Sequence, residues 1–155
     1  MAAIDKETFS KLTKKYSLNM YRLAVTILQN HYDAEDAVSE AVLRAYENLG
    51  KLRKPDKFKS WIMQITVNEA RKIYGKNKNT FATEFIEELM PVFEDEHREL
   101  WDEVMKLDIT FREVIILFYY EQLSIKEISI ILDVKEGTVK SRLFRGKNRL
   151  KEVLQ

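Results

Sequence analysis

The chain has 155 residues, 45% hydrophobic and 33% charged, with four Gly, two Pro and no Cys. This suits one domain or two small ones and excludes a disordered chain, disulfides and Cys-based metal or redox sites. A formal net charge of +1 by itself says nothing for a nucleic-acid partner.

Few Gly and Pro, and no long β-branched alternation, predict an all-α protein. Phe9, Leu12, Tyr16, Met20, Leu23 and Ile27 recur every three or four residues, which predicts a first helix over roughly 5–29. Asn30-His31-Tyr32 breaks it. Asp33 is expected to cap the next helix, with Glu35 and Asp36 favourable in its first turn. Ala34, Ala37, Val38, Ala41, Val42, Ala45, Tyr46 and Leu49 form its apolar stripe, which ends at Gly50. A basic loop surrounds Pro55. The following helix carries Phe58, Trp61, Ile62, Ile65, Ala70 and Ile73 and is expected to stop at Gly75. Trp61 shares the stripe of Phe58 and Ile65, which favours a place in the core over a base-stacking platform.

From Lys76 the chain turns polar and then acidic, which reads as a linker with one helical turn near Phe85 to Met90. The helical pattern returns at Leu100, Trp101, Val104 and Leu107. Val114 to Tyr120 is apolar almost all round and is expected to be a buried centre.

The last stretch reads as two helices around a tight break from Asp133 to Gly137, the spacing of a helix-turn-helix with a Gly inside. Ile128, Ile131, Val139 and Leu143 would pack the pair together. Val139, Leu143, Gly146 and Leu150 fall on one side of the second helix, and Thr138, Ser141, Arg142 and Arg145 on the other. A face of small polar and guanidinium groups suits a DNA major groove, although an ordinary amphipathic hairpin would show much of the same pattern. Charge distribution adds to this. Residues 51–78 hold nine basic side chains against two acids, residues 81–103 nine acids against one Arg, and residues 125–155 eight basic against four acidic. Two basic segments flanking an acidic one are two possible phosphate-facing surfaces.

Three blocks occur in a fixed order: DAEDAVSEAVLRAYENL at 33–49, FKSWIMQITVNEARKI at 58–73, and REVIILFYYEQLSIKEISIILDVKEGTVKSRLFRGKNRLKEVL at 112–154. Together they resemble the extracytoplasmic-function type of bacterial RNA polymerase sigma factor, of the sigma-70 family. The resemblance covers nearly the whole chain. It implies two small helical domains joined by an acidic linker: sigma region 2 at 1–76, the linker at 77–97, and sigma region 4 with its helix-turn-helix at 98–155.

The resemblance also implies roles. Asp33, Asp36 and Glu40 match the acidic positions that bind the β′ clamp helices of core RNA polymerase. Lys51, Arg53, Lys54, Lys57 and Lys59 would track phosphates of the −10 element, and Asn68 would contact an extruded base. Lys135, Glu136, Thr138, Lys140, Ser141, Arg142 and Arg145 would serve the −35 element, with Arg142 and Arg149 nearer to phosphate or solvent. The β flap, promoter DNA and an anti-sigma factor are the other implied partners. The chain departs from the family pattern at Ser39, at Val42 and at Leu107-Asp108, where Leu-Pro is usual.

The expected function is therefore a promoter-specificity subunit that binds core polymerase and assists melting. A plain helix-turn-helix regulator would not need the 33–73 block, and two separated basic segments argue against a pure adaptor. An enzyme is not expected. His31 and His97 read as surface residues, and no catalytic set, metal spacing or Gly-rich phosphate loop appears. No catalytic residue, cofactor or metal is expected. Without a secretory segment or an apolar run of about 20 residues, the expected location is cytoplasmic.

Overall fold

The computed structural model describes residues 4–77 and 98–154, and the regular elements of those residues are all helical. The expected helical turn at Phe85 to Met90, like His97, lies outside them. Helix α1 (Lys6–Leu28) starts at Asp5, whose carboxylate accepts the Thr8 N–H at 2.7 Å, and buries Met20, Leu23, Ala24 and Ile27. It ends at Gln29, in the left-handed region with φ 51°. Helix α2 (His31–Glu47) follows at once. Its cap is Asn30 and not the expected Asp33, because the Asn30 side chain already accepts the Asp33 N–H at 3.0 Å. With the break reduced to two residues, Asp33 falls inside the first turn.

Ala34, Ala37, Ala41 and Ala45 of α2 are all completely buried. This seam of small side chains lets the helix pack closely on α1 and on α3 (Phe58–Asn77). Two short 3-10 turns, Leu49–Lys51 and Pro55–Lys57, make the intervening connection. Phe58 centres an aromatic cluster with Phe9, Tyr16 and Trp61, at ring distances of 6.1, 6.1 and 5.8 Å. Trp61 thus belongs to the packing, half-buried on the core. The expected stop at Gly75 does not occur. Gly75 has no positive φ, so it is an ordinary, if weak, helical residue.

In the C-terminal part, α4 (Arg98–Lys106) precedes α5 (Ile109–Ile115). Asp108 caps α5, accepting the Thr110 hydroxyl at 2.7 Å and its N–H at 3.3 Å, and these bonds hold its carboxyl below the usual range. Helix α5 continues into a wider π-turn, Ile116–Tyr120. The expected buried centre holds for Val114 to Leu117, but within the π-turn Phe118 and Tyr120 are half-buried and Tyr119 is exposed.

Helix α6 (Ile125–Leu132) begins with a reciprocal capping box between Ser124 and Glu127. Helix α7 (Glu136–Leu154) completes the helix-turn-helix. The turn is made by Asp133 at φ 57° and not by Gly137, which lies in the first turn of α7 without a positive φ. Asp tolerates the left-handed region through local hydrogen bonding. Gly146 has a different reason to be Gly. A Cβ there would stand 2.8 Å from Ile115 Cδ1, so α7 and α5 approach without a side chain between them.

The C-terminal helices fold back onto α1 and α3. Arg112 is buried and donates to the Thr26 carbonyl at 2.8 Å and the Ile27 carbonyl at 3.3 Å. These are carbonyls of the last turn of α1, which no helical N–H follows. Arg112 also donates to Leu107 at 2.8 Å, so one guanidinium ties three chain segments.

Candidate nucleic-acid interface

The second helix of the helix-turn-helix presents two unlike faces. Val139, Leu143, Gly146 and Leu150 are buried against α5 and α6, as their spacing requires. Lys135, Glu136, Lys140, Ser141 and Arg145 are exposed, whereas Thr138 and Arg142 are half-buried at the edges. Arg142 lies close enough to the buried Glu113 to favour its charged form. It therefore sits on the flank of the face and not at its centre. Arg149 lies over the Phe111 ring at 5.2 Å. Phe144 is 68% exposed between Ser141 and Arg145. Sequence reading passed over it, although an aromatic on the polar side of an amphipathic pattern was the available signal.

At the other surface, Lys51, Arg53, Lys54 and Lys57 are exposed on and between the two short turns. Lys59 is different. It is half-buried, and its amine donates to the Glu121 carbonyl at 2.9 Å. Asn68 is exposed and lines a cleft of about 570 Å³ with Arg44, Asn48, Ile65, Glu69, Arg71 and Lys72. Sequence reading placed Arg71 and Lys72 in a basic segment and singled out Asn68, but did not bring them together with Arg44 and Asn48 in one cleft. Arg71 and Lys72 follow Asn68 at i+3 and i+4 and so share its face.

The acidic positions lie on α2. Asp36 and Glu40 are exposed and line a neighbouring cleft with Ser39, Arg44, Lys72 and Lys76. Asp33 is half-buried one turn earlier. Glu40 is 3.9 Å from Arg44, which itself holds Glu47 at 2.9 Å. His31 is not a plain surface residue. Its Nε2 meets Glu35 at 2.9 Å and its Nδ1 meets the Tyr21 hydroxyl, which joins the start of α2 to α1.

Glu113, on α5, faces Arg71 of α3, Arg142 of α7 and the neighbouring Arg112. Burial pushes its carboxyl above the ordinary Glu range, and these cations only partly offset that. A carboxyl raised in the folded state costs stability when ionised. That cost is present above the folded pKa and fades as pH falls toward the ordinary Glu value. Glu113→Gln is therefore expected to leave stability at pH 7 unchanged within about 1 kcal/mol, or to raise it. It should also remove part of the stability gained on mild acidification. Thermal melts of both forms from pH 7 down to pH 5 check this, and a loss above about 2 kcal/mol at pH 7 contradicts it.

Among the described residues no group of three or more His, Cys, Asp or Glu could hold a metal ion, and no helix is long and apolar enough to cross a membrane. The geometry is that of an all-helical protein with a free helix-turn-helix face and a second, basic cleft beside an acidic helix. Comparisons with known proteins agree on one family. Residues 12–80 match sigma-70 region 2, and residues 97–150 match sigma-70 region 4. The RNA polymerase sigma factor SigV of Bacillus subtilis is 33% identical, over 83% of this chain and 80% of its own. The extracytoplasmic-function sigma factor SigW of the same species is 29% identical, over 97% of this chain and 91% of its own.

Two solved structures share the fold. CnrH, in complex with the cytosolic domain of CnrY, has a TM-score of 0.73 at 22% identity, over 97% of this chain and 89% of its own. The sigma factor RpoE of Bartonella quintana, in complex with the anti-sigma factor NepR, has a TM-score of 0.74 at 21% identity, over 94% and 96%. The chain belongs to the sigma-70 family of RNA polymerase sigma factors, in its extracytoplasmic-function group.

Proposed function

We propose that this chain binds core RNA polymerase, directs it to a promoter with −35 and −10 elements and assists melting of the −10 region. The observation that carries this is the union of an exposed helix-turn-helix face with a separate basic cleft and an acidic helix, in the order of the family's two regions. The region 2 unit is taken as 1–76, the linker as 77–97 and the region 4 unit as 98–155. On this reading the chain is a cytoplasmic initiation factor and not an enzyme. Its partners are the β′ clamp helices, the β flap, promoter DNA and an anti-sigma factor.

Asp33, Asp36 and Glu40 supply the polymerase-binding face of α2. Lys51, Arg53, Lys54 and Lys57 hold −10 phosphates, with Lys59 once it is released from Glu121. Asn68 reads an unstacked base in the cleft it shares with Arg44 and Arg71. A strand-opening surface needs both a cationic track and such a pocket. At the −35 element, Ser141 and Arg145 read base edges and Phe144 offers an apolar contact to a thymine methyl. Lys135, Glu136, Thr138, Lys140 and Arg142 position the helix on phosphates and neighbouring groups.

A base-reading side chain should cost about 1–3 kcal/mol on removal and relax selectivity at one base pair. Arg145→Ala and Ser141→Ala are therefore expected to change the preferred −35 sequence. Arg149→Ala should give only a small uniform loss with a reduced salt slope, since its side chain already rests on Phe111. Selection of −35 variants by each mutant holoenzyme at fixed salt checks this. Unchanged preference for both Arg145→Ala and Ser141→Ala, with intact folding, removes α7 from the reading role.

A further inference from the structure

The last two turns of α7 close one side of an apolar cleft, whose other sides are α4 and the end of α5 with its π-turn. Its volume is about 450 Å³, within the roughly 300–1,000 Å³ of ligand-binding clefts. Val104, Ile115 and Leu150 form a buried floor. Tyr119 and Leu154 also line it, and each is 45% exposed, so the apolar surface opens to solvent.

The cleft is one-sided in charge. Its charged lining groups are Lys147 and Lys151, and among the described residues no acid lines it. The Asn68 cleft, by contrast, includes Glu69, and its neighbour includes Asp36 and Glu40. Lys147 and Lys151 stand at i and i+4 and so share one face of α7. The Lys147 amine lies over the Tyr119 ring, 5.9 Å from its centre, which keeps the cation beside the apolar wall.

We propose that this cleft binds a long-chain carboxylate, with its alkyl chain on Val104, Ile115 and Leu150 and its head group between Lys147 and Lys151. The floor selects the chain, and the paired cations select an anionic head. A small ligand fits better than a protein partner. A stable protein interface engages about 20–30 residues on each side, whereas nine of the described residues line this cleft. The inference does not depend on the promoter roles proposed above. Because the ligand touches α4 and α7 at once, it should also stabilise the C-terminal helices against heat.

The test titrates octanoate, decanoate and dodecanoate into the full chain below their micelle concentrations, followed by calorimetry and methyl NMR. Affinity should rise roughly fourfold for each added methylene until the cleft is filled. The methyl signals of Val104, Ile115 and Leu150 should shift with saturation. Decanol has the same chain length without the charge and should bind more weakly. Lys147→Met with Lys151→Met keeps the apolar stems and removes the charges. It should weaken decanoate roughly tenfold and leave decanol unchanged. Leu154→Asp, at an exposed position, should weaken both probes while the chain still melts cooperatively. The proposal is overturned if the cleft methyls show no saturable shift, or if decanoate and decanol bind alike and the double Met variant changes neither. Two further results would assign the cleft elsewhere and overturn it as well, each in the absence of decanoate binding. Dimerisation of the free chain that Leu154→Asp abolishes would give it to a second copy. Loss of retention on core polymerase in Leu154→Asp would give it to the β flap.

Discussion

Val139→Asp is expected to unfold the C-terminal helices. Val139 is completely buried on α7, facing α6, where Ile128, Ile131 and Leu132 are equally enclosed. None of those side chains can hydrogen-bond a carboxylate, and burying one there costs several kcal/mol even after its pKa rises. Domains of this size hold only about 5–15 kcal/mol in total, so the local fold should be lost. Loss of tertiary amide signals from 109–154, with α2 signals retained, is the expected spectrum. A cooperative melt within a few degrees of wild type would show that Val139 does not pack as described.

Reversing the acidic face of α2 is expected to abolish capture by core polymerase. The double change Asp33→Lys and Asp36→Lys places two cations where the proposed interface is anionic, and like charges across an interface cost several kcal/mol. Because Asn30 and not Asp33 caps α2, the helix keeps its cap. The remaining cost is the unfavourable meeting of lysine with the helix N-terminus, about 0.3–1 kcal/mol for each residue. The melting temperature should therefore fall only slightly while retention on immobilised core polymerase disappears. Retention at wild-type level would place the polymerase-binding surface elsewhere.

The helices themselves were legible because their apolar spacing is local. The α2 alanines and the α7 stripe of Val139, Leu143, Gly146 and Leu150 are buried as that spacing demands. The punctuation was less legible. Asn30 and Asp33 are both good capping residues, and only the abruptness of the α1–α2 break decides between them. Gly75 and Gly137 look like helix breakers in a sequence, but a glycine ends a helix only when it adopts a positive φ, and neither does. Asp133 does so in place of Gly137.

The contacts between the two ends of the chain left no local trace. Arg22 and Glu121 are 99 positions apart, and Arg112 and Thr26 are 86 apart, and in sequence such residues look like solvated charges. The site followed the same division. The exposed polar face of α7 and the basic turns could be found by periodicity and charge. Phe144 carried a signal in the same periodicity, but the Arg44 and Arg71 walls of the Asn68 cleft and the diversion of Lys59 to Glu121 needed the fold.

The central claim is that this chain confers promoter choice on core RNA polymerase. The direct measurement is transcription by core polymerase of its own bacterium, with and without the purified chain, on a pool of randomised promoter-length templates, followed by sequencing of the RNA 5′ ends and their templates. The account predicts transcripts that depend on the chain and start at defined positions, on templates enriched in two separate sequence blocks, with single-stranded DNA exposed at the downstream block. A folded chain that binds duplex DNA alone, yet yields no chain-dependent start sites with core polymerase, would contradict it.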